Sequence, residues 1–326
     1  MAQSERCEPT KTEAGAVTAP PVLFLSSGDL LADRRYEWAI DHLTLGDLAG
    51  AADILLQAVE IAPGFATAWF ALGAIREKQG DRDGAIVAFG RARDSDPEDY
   101  HGARLQLARL DAGEATPEMT VTYVRRLFDQ QSTRFEDSLL NRLAYSAPQK
   151  LLNAVTTTAG GRLGVGTMLD LGCGTGLAGA AFRPYVDWLV GVDVSSGMIR
   201  QARAKGVYDR LVVGELVQFL AQEADMLATY HLIVAADVFV YSSDLTPVAA
   251  AVAGVLAPKG IFGFTVETHP GDGVVLQQTL RYAHGEDHVR VALAGANLQS
   301  VLIERVSTRI EQGEPVPGLL AIAAPN

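Results

Sequence analysis

The amino-acid sequence predicts an α/β protein: a doubly wound, mainly parallel seven-stranded sheet preceded by an all-α helical array. Three observations predict it. Pro63 and Pro97, Ala51 and Ala85, Gly46 and Gly80, and Asp47 and Asp81 are each 34 residues apart, which marks a repeated helical unit. Gly172-Cys173-Gly174-Thr175-Gly176 directly follows a short apolar run, and a helical pattern begins near Leu177. Beyond that loop, short apolar runs alternate with helical stretches, as in a parallel sheet covered by helices.

The bulk properties set the frame. A length of 326 residues exceeds one typical domain, and a hydrophobic fraction of 48% supplies a core and excludes wholesale disorder. The formal charge of −12 makes the chain a poor generic partner for nucleic acid or an anionic membrane. No run approaches the roughly 18 apolar residues of a membrane span. Residues 1–28 read as a disordered tail without the basic start and apolar run of a signal peptide. Cys7 and Cys173 cannot build a disulfide framework, so a reducing, cytoplasmic setting is expected.

Residues 29–112 carry the periodic array. Its second unit contains Trp69-Phe70-Ala71-Leu72-Gly73, then Ala85 and Phe89, and closes at Pro97. Small residues at Gly73, Ala85 and Ala92 let paired helices approach, and Trp69, Leu72 and Phe89 fill the groove. The segment from Tyr100 to Leu110 is expected to cap the array. These residues resemble the tetratricopeptide repeat, with Arg76 standing where an aromatic is usual. About three repeats are needed for independent stability, so the array is expected to dock on the neighbouring domain. Its groove either binds a protein partner or serves as a structural or self-association element.

Residues 113–326 form the second unit, with 113–160 as a helical lid and 161–326 as the sheet domain. Val165–Leu171 is the first strand. The glycine loop after it lets the backbone approach a ligand and leaves N–H groups free at a helix start. The second strand, Trp188–Val192, ends at Asp193 beside Val194, where a carboxylate suits two ribose hydroxyls. Gly174, Gly176 and Gly179 match the dinucleotide fingerprint, but Asp170 would repel a pyrophosphate and suits the ammonium of a bound amino acid. Further strands are expected at Arg210–Val213, His231–Ala236 and Ile261–Glu267, with a helix near Leu245–Leu256. The pair 298–308 and 318–323 forms a closing hairpin.

The segment Leu169–Gly176 resembles the first motif of class I S-adenosylmethionine-dependent methyltransferases, whose fold is Rossmann-like. The resemblance implies S-adenosylmethionine as cofactor, held by Asp170, Gly172, Cys173, Gly174, Gly176, Asp193, Val194 and Asp237, with Glu215 near the adenine amino group. The stretch Asp237–Leu245, the segment Leu280–His284, the tail Gly313–Gly318 and the helix Leu127–Glu136 are similar to a subgroup of ubiquinone-biosynthesis methylase type. There the last of these covers the cofactor. Gln131-Ser132 and Gly285 depart from the subgroup's pattern.

Ala236-Asp237-Val238-Phe239 lacks the Pro-Pro turn of amine methylases acting on nucleic acids. No cysteine nucleophile lies near it, and no His or Cys group has metal-ligand spacing. A small-molecule methyl acceptor is therefore expected. The alternatives are a protein acceptor delivered by the repeats, or a cofactor-binding scaffold without turnover. Acceptor-side candidates are Tyr241, Glu267, Tyr282 and His284. His284, in a polar loop, is either a base near neutral pH or a hydrogen-bonded structural histidine. Arg281 either binds a substrate carboxylate or makes a surface ion pair.

Overall fold

The computed structural model describes residues 24–137, 139, 143–161 and 164–326. Residues 1–23 of the expected tail lie outside the described residues. Residues 24–28 do not behave as a tail. The Phe24 ring packs on Tyr36 and Phe65, with centroids 5.3 and 6.2 Å away. The Leu25 N–H donates to Thr67 Oγ1 at 2.9 Å.

Five helices come first: α1 (Leu30–Thr44), α2 (Leu48–Ile61), α3 (Ala66–Lys78), α4 (Arg82–Ser95) and α5 (Ala103–Arg109). The 34-residue spacing reappears as geometry. Asp47 and Asp81 each cap the following helix by accepting the N–H three residues on, Gly50 and Gly84, both at 2.9 Å. Gly46 and Gly80 precede them at φ +80°, a backbone conformation that favours glycine. Gly73 lies so close to Phe89 that an added Cβ would stand 2.7 Å from its ring. Tyr36, Leu55, Phe65, Leu72 and Ile75 fill the space between α1, α2 and α3.

The sheet runs β3-β2-β1-β4-β5-β11-β8. Its strands are β1 (Val165–Leu171), β2 (Val186–Asp193), β3 (Arg210–Val213), β4 (Tyr230–Ala235), β5 (Leu256–Thr268), β8 (Leu298–Val306) and β11 (Gly318–Pro325). Strands β1 to β5 are parallel, while β11 is antiparallel to both β5 and β8. The period of two divides each strand between two cores. Leu169, Val190, Ile233 and Phe262 face α11 (Leu216–Asp225), α12 (Thr246–Val255) and α13 (Glu286–Gly295). Met168, Leu189, Leu232 and Ile322 face α8 (Ala147–Thr158) and α9 (Leu177–Phe182).

Three expectations change. The strand expected at Ile261–Glu267 is longer: β5 begins at Leu256 and runs through Ala257–Gly260 with a register shift against β4. The span 113–160 is not one lid. Helix α6 (Val121–Gln131) and the short α7 (Phe135–Asp137) lie over the strand ends, but α8 buries Leu151 and Val155 against the sheet. The stretch holding His284 is not a polar loop. It is β7 (Tyr282–His284), buried throughout, paired with β5 and with β6 (Val274–Leu276). A two-stranded ribbon, β9 (Ile310–Glu311) with β10 (Glu314–Pro315), precedes β11.

The helical array is seated on this second unit. Leu105 packs with Met119 and Tyr282, and Arg126 lies 4.0 Å above the Tyr100 ring. The Tyr282 hydroxyl donates to the carbonyl of Pro117. No described helix is long and apolar enough to cross a membrane.

Candidate functional site

A cavity of about 270 Å³ opens beyond the carboxyl ends of β1, β2 and β4, where ligands sit in open α/β sheets. The glycine loop forms its floor. Gly172, Gly174 and Gly176 have φ of +62°, +54° and +93°. An added Cβ at Gly172 would meet Val238 at 2.7 Å, so that glycine allows close packing of the β4 loop. At Gly174 an added Cβ would meet only Phe135, at 3.9 Å, so this backbone is bare toward the cavity. Gly176 and Gly179 have another cause. The Tyr208 ring lies against both, 2.9 and 2.3 Å from where a Cβ would stand, and against Gly191. Its hydroxyl donates to Asp170 Oδ2 at 2.6 Å. The dinucleotide-like spacing of these glycines is thus a seat for an aromatic ring.

Asp193 is held at the end of β2. Its Oδ2 accepts the Gly174 N–H at 2.9 Å and its Oδ1 accepts the Ser195 N–H at 2.8 Å. Burial raises the Asp193 pKa to about 6 and that of Asp170 to about 7, against the hydrogen bonds that lower both. Burial likewise pushes the Cys173 thiol well up, so it stays a neutral small side chain in the loop. Val194 also lines the cavity.

The roof comes from α6 and α7. Phe128 and Phe135 face the cavity, ring centroids 5.8 Å apart, and Phe128 meets the Tyr241 ring edge-on at 5.1 Å. Asp129 latches the roof. Its Oδ1 accepts from Ser195 Oγ at 2.6 Å and from the Gly197 N–H at 3.0 Å, at the start of α10 (Ser196–Lys205). Ser132 is buried against Gly197, where a Cβ would lie 2.7 Å from its Oγ, so the departure at this position serves helix packing. Gly285, the other departure, leaves no room either, since a Cβ would sit 2.6 Å from the Gly271 carbonyl.

The far end of the cavity is charged and locked. Asp237, at φ +55°, accepts from Thr265 Oγ1 at 2.7 Å, from Thr308 Oγ1 at 2.9 Å and from Arg309 Nη1 at 3.2 Å. Arg309 also binds Glu267 through Nη2, and Glu311 through Nε at 2.8 Å. Arg281 binds Glu311, and lies 3.7 Å from Glu267. Arg281, Arg309, Tyr241 and Tyr145 line this end.

The cofactor candidates therefore converge. Asp170, Gly172, Cys173, Gly174, Asp193, Val194, Glu215 and Asp237 all line one cavity, with Gly176 in the same loop. This is the cradle an amino-acid-bearing nucleoside needs: bare backbone, a carboxylate at the β2 end, and a buried carboxylate below the loop. A model of the methyltransferase domain matches residues 169–262 of the chain. Residues 169–262 carry a methyltransferase domain. The human methyltransferase-like protein 27 is 33% identical over 112 residues, which cover 34% of this chain and 44% of that protein. The chain thus spans under half the length of the curated relative it matches. Similar solved structures include a magnesium protoporphyrin IX methyltransferase from Synechocystis PCC 6803 with S-adenosylhomocysteine. It is 16% identical, with a TM-score of 0.49, over 63% of this chain and 99% of that one. An N-methyltransferase from Bradyrhizobium japonicum WM9 is 24% identical, with a TM-score of 0.41, over 54% and 84%.

Within this methyltransferase domain some sequence expectations need correction. Glu215 lines the cavity but its carboxylate has a second task. Its two oxygens accept the Val217 and Gln218 N–H groups at 2.9 and 2.7 Å and cap α11. His284 does not line the cavity. It is fully buried, with Nε2 3.1 Å from the Phe239 carbonyl, and burial lowers its pKa to about 4. That suits a structural histidine rather than a base. Glu267 also lies outside the lining and is occupied by two guanidiniums. Of the three catalytic candidates only Tyr241 faces the cavity. Sequence reasoning missed Tyr145, Tyr208, Asp129 as a latch, and Arg309. Three glycines around one ring were the available signal for Tyr208; Tyr145 and Arg309 left none.

Proposed function

We propose that the chain is a methyltransferase transferring a methyl group from S-adenosylmethionine to a small-molecule acceptor, within the ubiquinone-biosynthesis methylase-like subgroup and behind a tetratricopeptide-type array. One observation carries the reading. The loop Gly172–Gly176 and the oriented Asp193 carboxylate line a cavity roofed by Phe135 over the loop and by Phe128 and Tyr241 beyond it. S-adenosylmethionine supplies an electrophilic methyl on a sulfonium, which leaves as a neutral thioether.

The chain's own residues have positional work to do. Asp193 is set to accept hydrogen bonds from the two ribose hydroxyls. Gly174 lets the backbone meet the ligand without a side chain between them. Asp170, once deprotonated, offers a counter-charge to the ammonium. Phe128 and Phe135 exclude water, which strengthens these charge interactions. The acceptor enters between the roof and Tyr241. The cavity of about 270 Å³, roofed by aromatic rings and bounded by a fixed ion cluster, favours a small molecule over a polypeptide chain.

Two experiments test this. Purified protein with isotope-labelled methyl donor and a metabolite extract should yield labelled low-molecular-weight product. Label found only in macromolecules would contradict the small-molecule reading, and donor binding with no turnover would favour a scaffold. For the array, a variant with Arg126→Ala and Met119→Asp should loosen its seat, read as a lower-temperature first unfolding step in calorimetry. A single unchanged transition would contradict docking.

A further inference from the structure

The acceptor end holds two arginines, and they differ in how fully they are used. Arg309 spends all three nitrogens on carboxylates: Nε on Glu311, Nη1 on Asp237 and Nη2 on Glu267. Its side chain is only 4% exposed. Arg281 makes both of its ion pairs, to Glu311 and Glu267, through Nη1. Its side chain remains 26% exposed and lines the cavity. The Nε–Nη2 edge takes part in neither ion pair. That edge carries two parallel N–H donors, the fork that matches a carboxylate.

The surroundings restrict what meets this fork. Val124, Phe128, Val240 and the Tyr241 ring give this end an apolar wall, beside the polar Glu118, Tyr145, Asp237, Ser242 and the fully paired Arg309, so Arg281 is its cation with donors outside the ion pairs. From this juxtaposition we infer that the methyl acceptor is a small organic acid, its carboxylate seated on the Nε–Nη2 edge of Arg281 and its apolar body beneath Phe128 and Tyr241. This rests on the methyltransferase reading and names the acceptor class for that same cavity.

Charge balance is the main objection, since Asp237, Glu267 and Glu311 already face two guanidiniums. The structure contains an answer. Glu267 is buried, and burial raises its pKa despite both arginines. Of the three carboxyls it is the one whose burial opposes ionisation, while Asp237 keeps its hydroxyl donors from Thr265 and Thr308. Arg281 is a binding residue here. No proton transfer through it is required.

Ligand-observed NMR on full-length protein tests the inference. The protein is first saturated with S-adenosylhomocysteine, whose binding is measured separately. Benzoate, phenylacetate, hexanoate and octanoate are then compared with their primary amides. Binding is expected for at least one acid and for none of the matched amides. Arg281→Gln should weaken the bound acid roughly 10- to 100-fold, with Arg281→Lys in between. S-adenosylhomocysteine affinity should be unchanged in both variants, which shows that each is folded. Amides binding as well as acids, acids binding Arg281→Gln as well as wild type, or no acid binding to the loaded protein would each overturn the inference. Failure of S-adenosylhomocysteine itself to bind would instead reject the underlying methyltransferase reading.

Discussion

The two ends of the cavity are built differently. The donor end is mostly backbone: three glycines at positive φ, the start of α9, and one carboxylate fixed by two N–H groups. All of it comes from residues 170 to 195, within one β-α-β unit. The acceptor end is side chains from distant segments: Tyr145 before α8, Asp237 after β4, Arg281 before β7 and Arg309 after β8.

This contrast can be broken at either end. The largest expected effect is at Arg309. Arg309→Met leaves the buried Glu267 with only Arg281, 3.7 Å away, and takes the guanidinium from the half-buried Asp237, at a cost of about 3–5 kcal/mol. Chemical denaturation should show that loss. A change under about 1 kcal/mol would mean that the ion cluster is not structural.

At the donor end the effect should fall on binding, not folding. Gly174→Ala meets no neighbour closer than Phe135 but must hold φ +54°, a strain of about 1–2 kcal/mol. Its methyl would stand where the ligand approaches. Affinity for S-adenosylhomocysteine should drop at least roughly tenfold, about 1.4 kcal/mol, beside a modest loss of stability. Equal affinity in calorimetric titration would show that this backbone does not contact the ligand.

The pH response follows from Asp170 and Asp193. Burial raises both, to about 7 and about 6, so the ligand-free fold binds their protons more tightly than the unfolded chain does. Stability of the free protein should therefore be greatest at low pH within this window, and fall as pH rises from about 4 to about 7. Affinity for S-adenosylhomocysteine should move the other way, since its ammonium and ribose hydroxyls favour the carboxylates. Thermal melts across this range, with and without ligand, should diverge as pH increases. Parallel curves would remove these two carboxyls from the binding account.

The smallest effect on ligand binding is expected from a change remote from both ends. Gly73→Ala pushes a methyl against Phe89 and should cost about 1–3 kcal/mol of stability in the array. Ligand affinity should not change. A loss of affinity there would mean that the array shapes the cavity more than the docking at Tyr100, Leu105 and Tyr282 indicates.

The same contrast explains what was legible in the sequence. The 34-residue spacing, the strand–glycine–helix run and the acid at Asp193 are local, and local spacing survives into three dimensions. Glu215 was legible as a position but not as a cap, because whether a carboxylate turns to its own helix or to a ligand is not a matter of spacing. His284 reads as a polar-loop residue because it follows the Arg281-Tyr282 pair. Pairing of β7 with the extended end of β5 buries it instead. Tyr145 and Arg309 carry no motif. They reach the cavity because α8 packs under the sheet and because the β8–β11 connection folds back over β5, both consequences of the complete topology.

Calorimetric titration of S-adenosylhomocysteine into the full-length protein and into Asp193→Ala tests the central claim most directly. The account predicts one site in the wild-type protein and a loss of roughly 10- to 100-fold in the variant, from the hydrogen bonds of one charged acceptor to the ribose. No binding to the wild-type chain, or equal affinity in both, would contradict it.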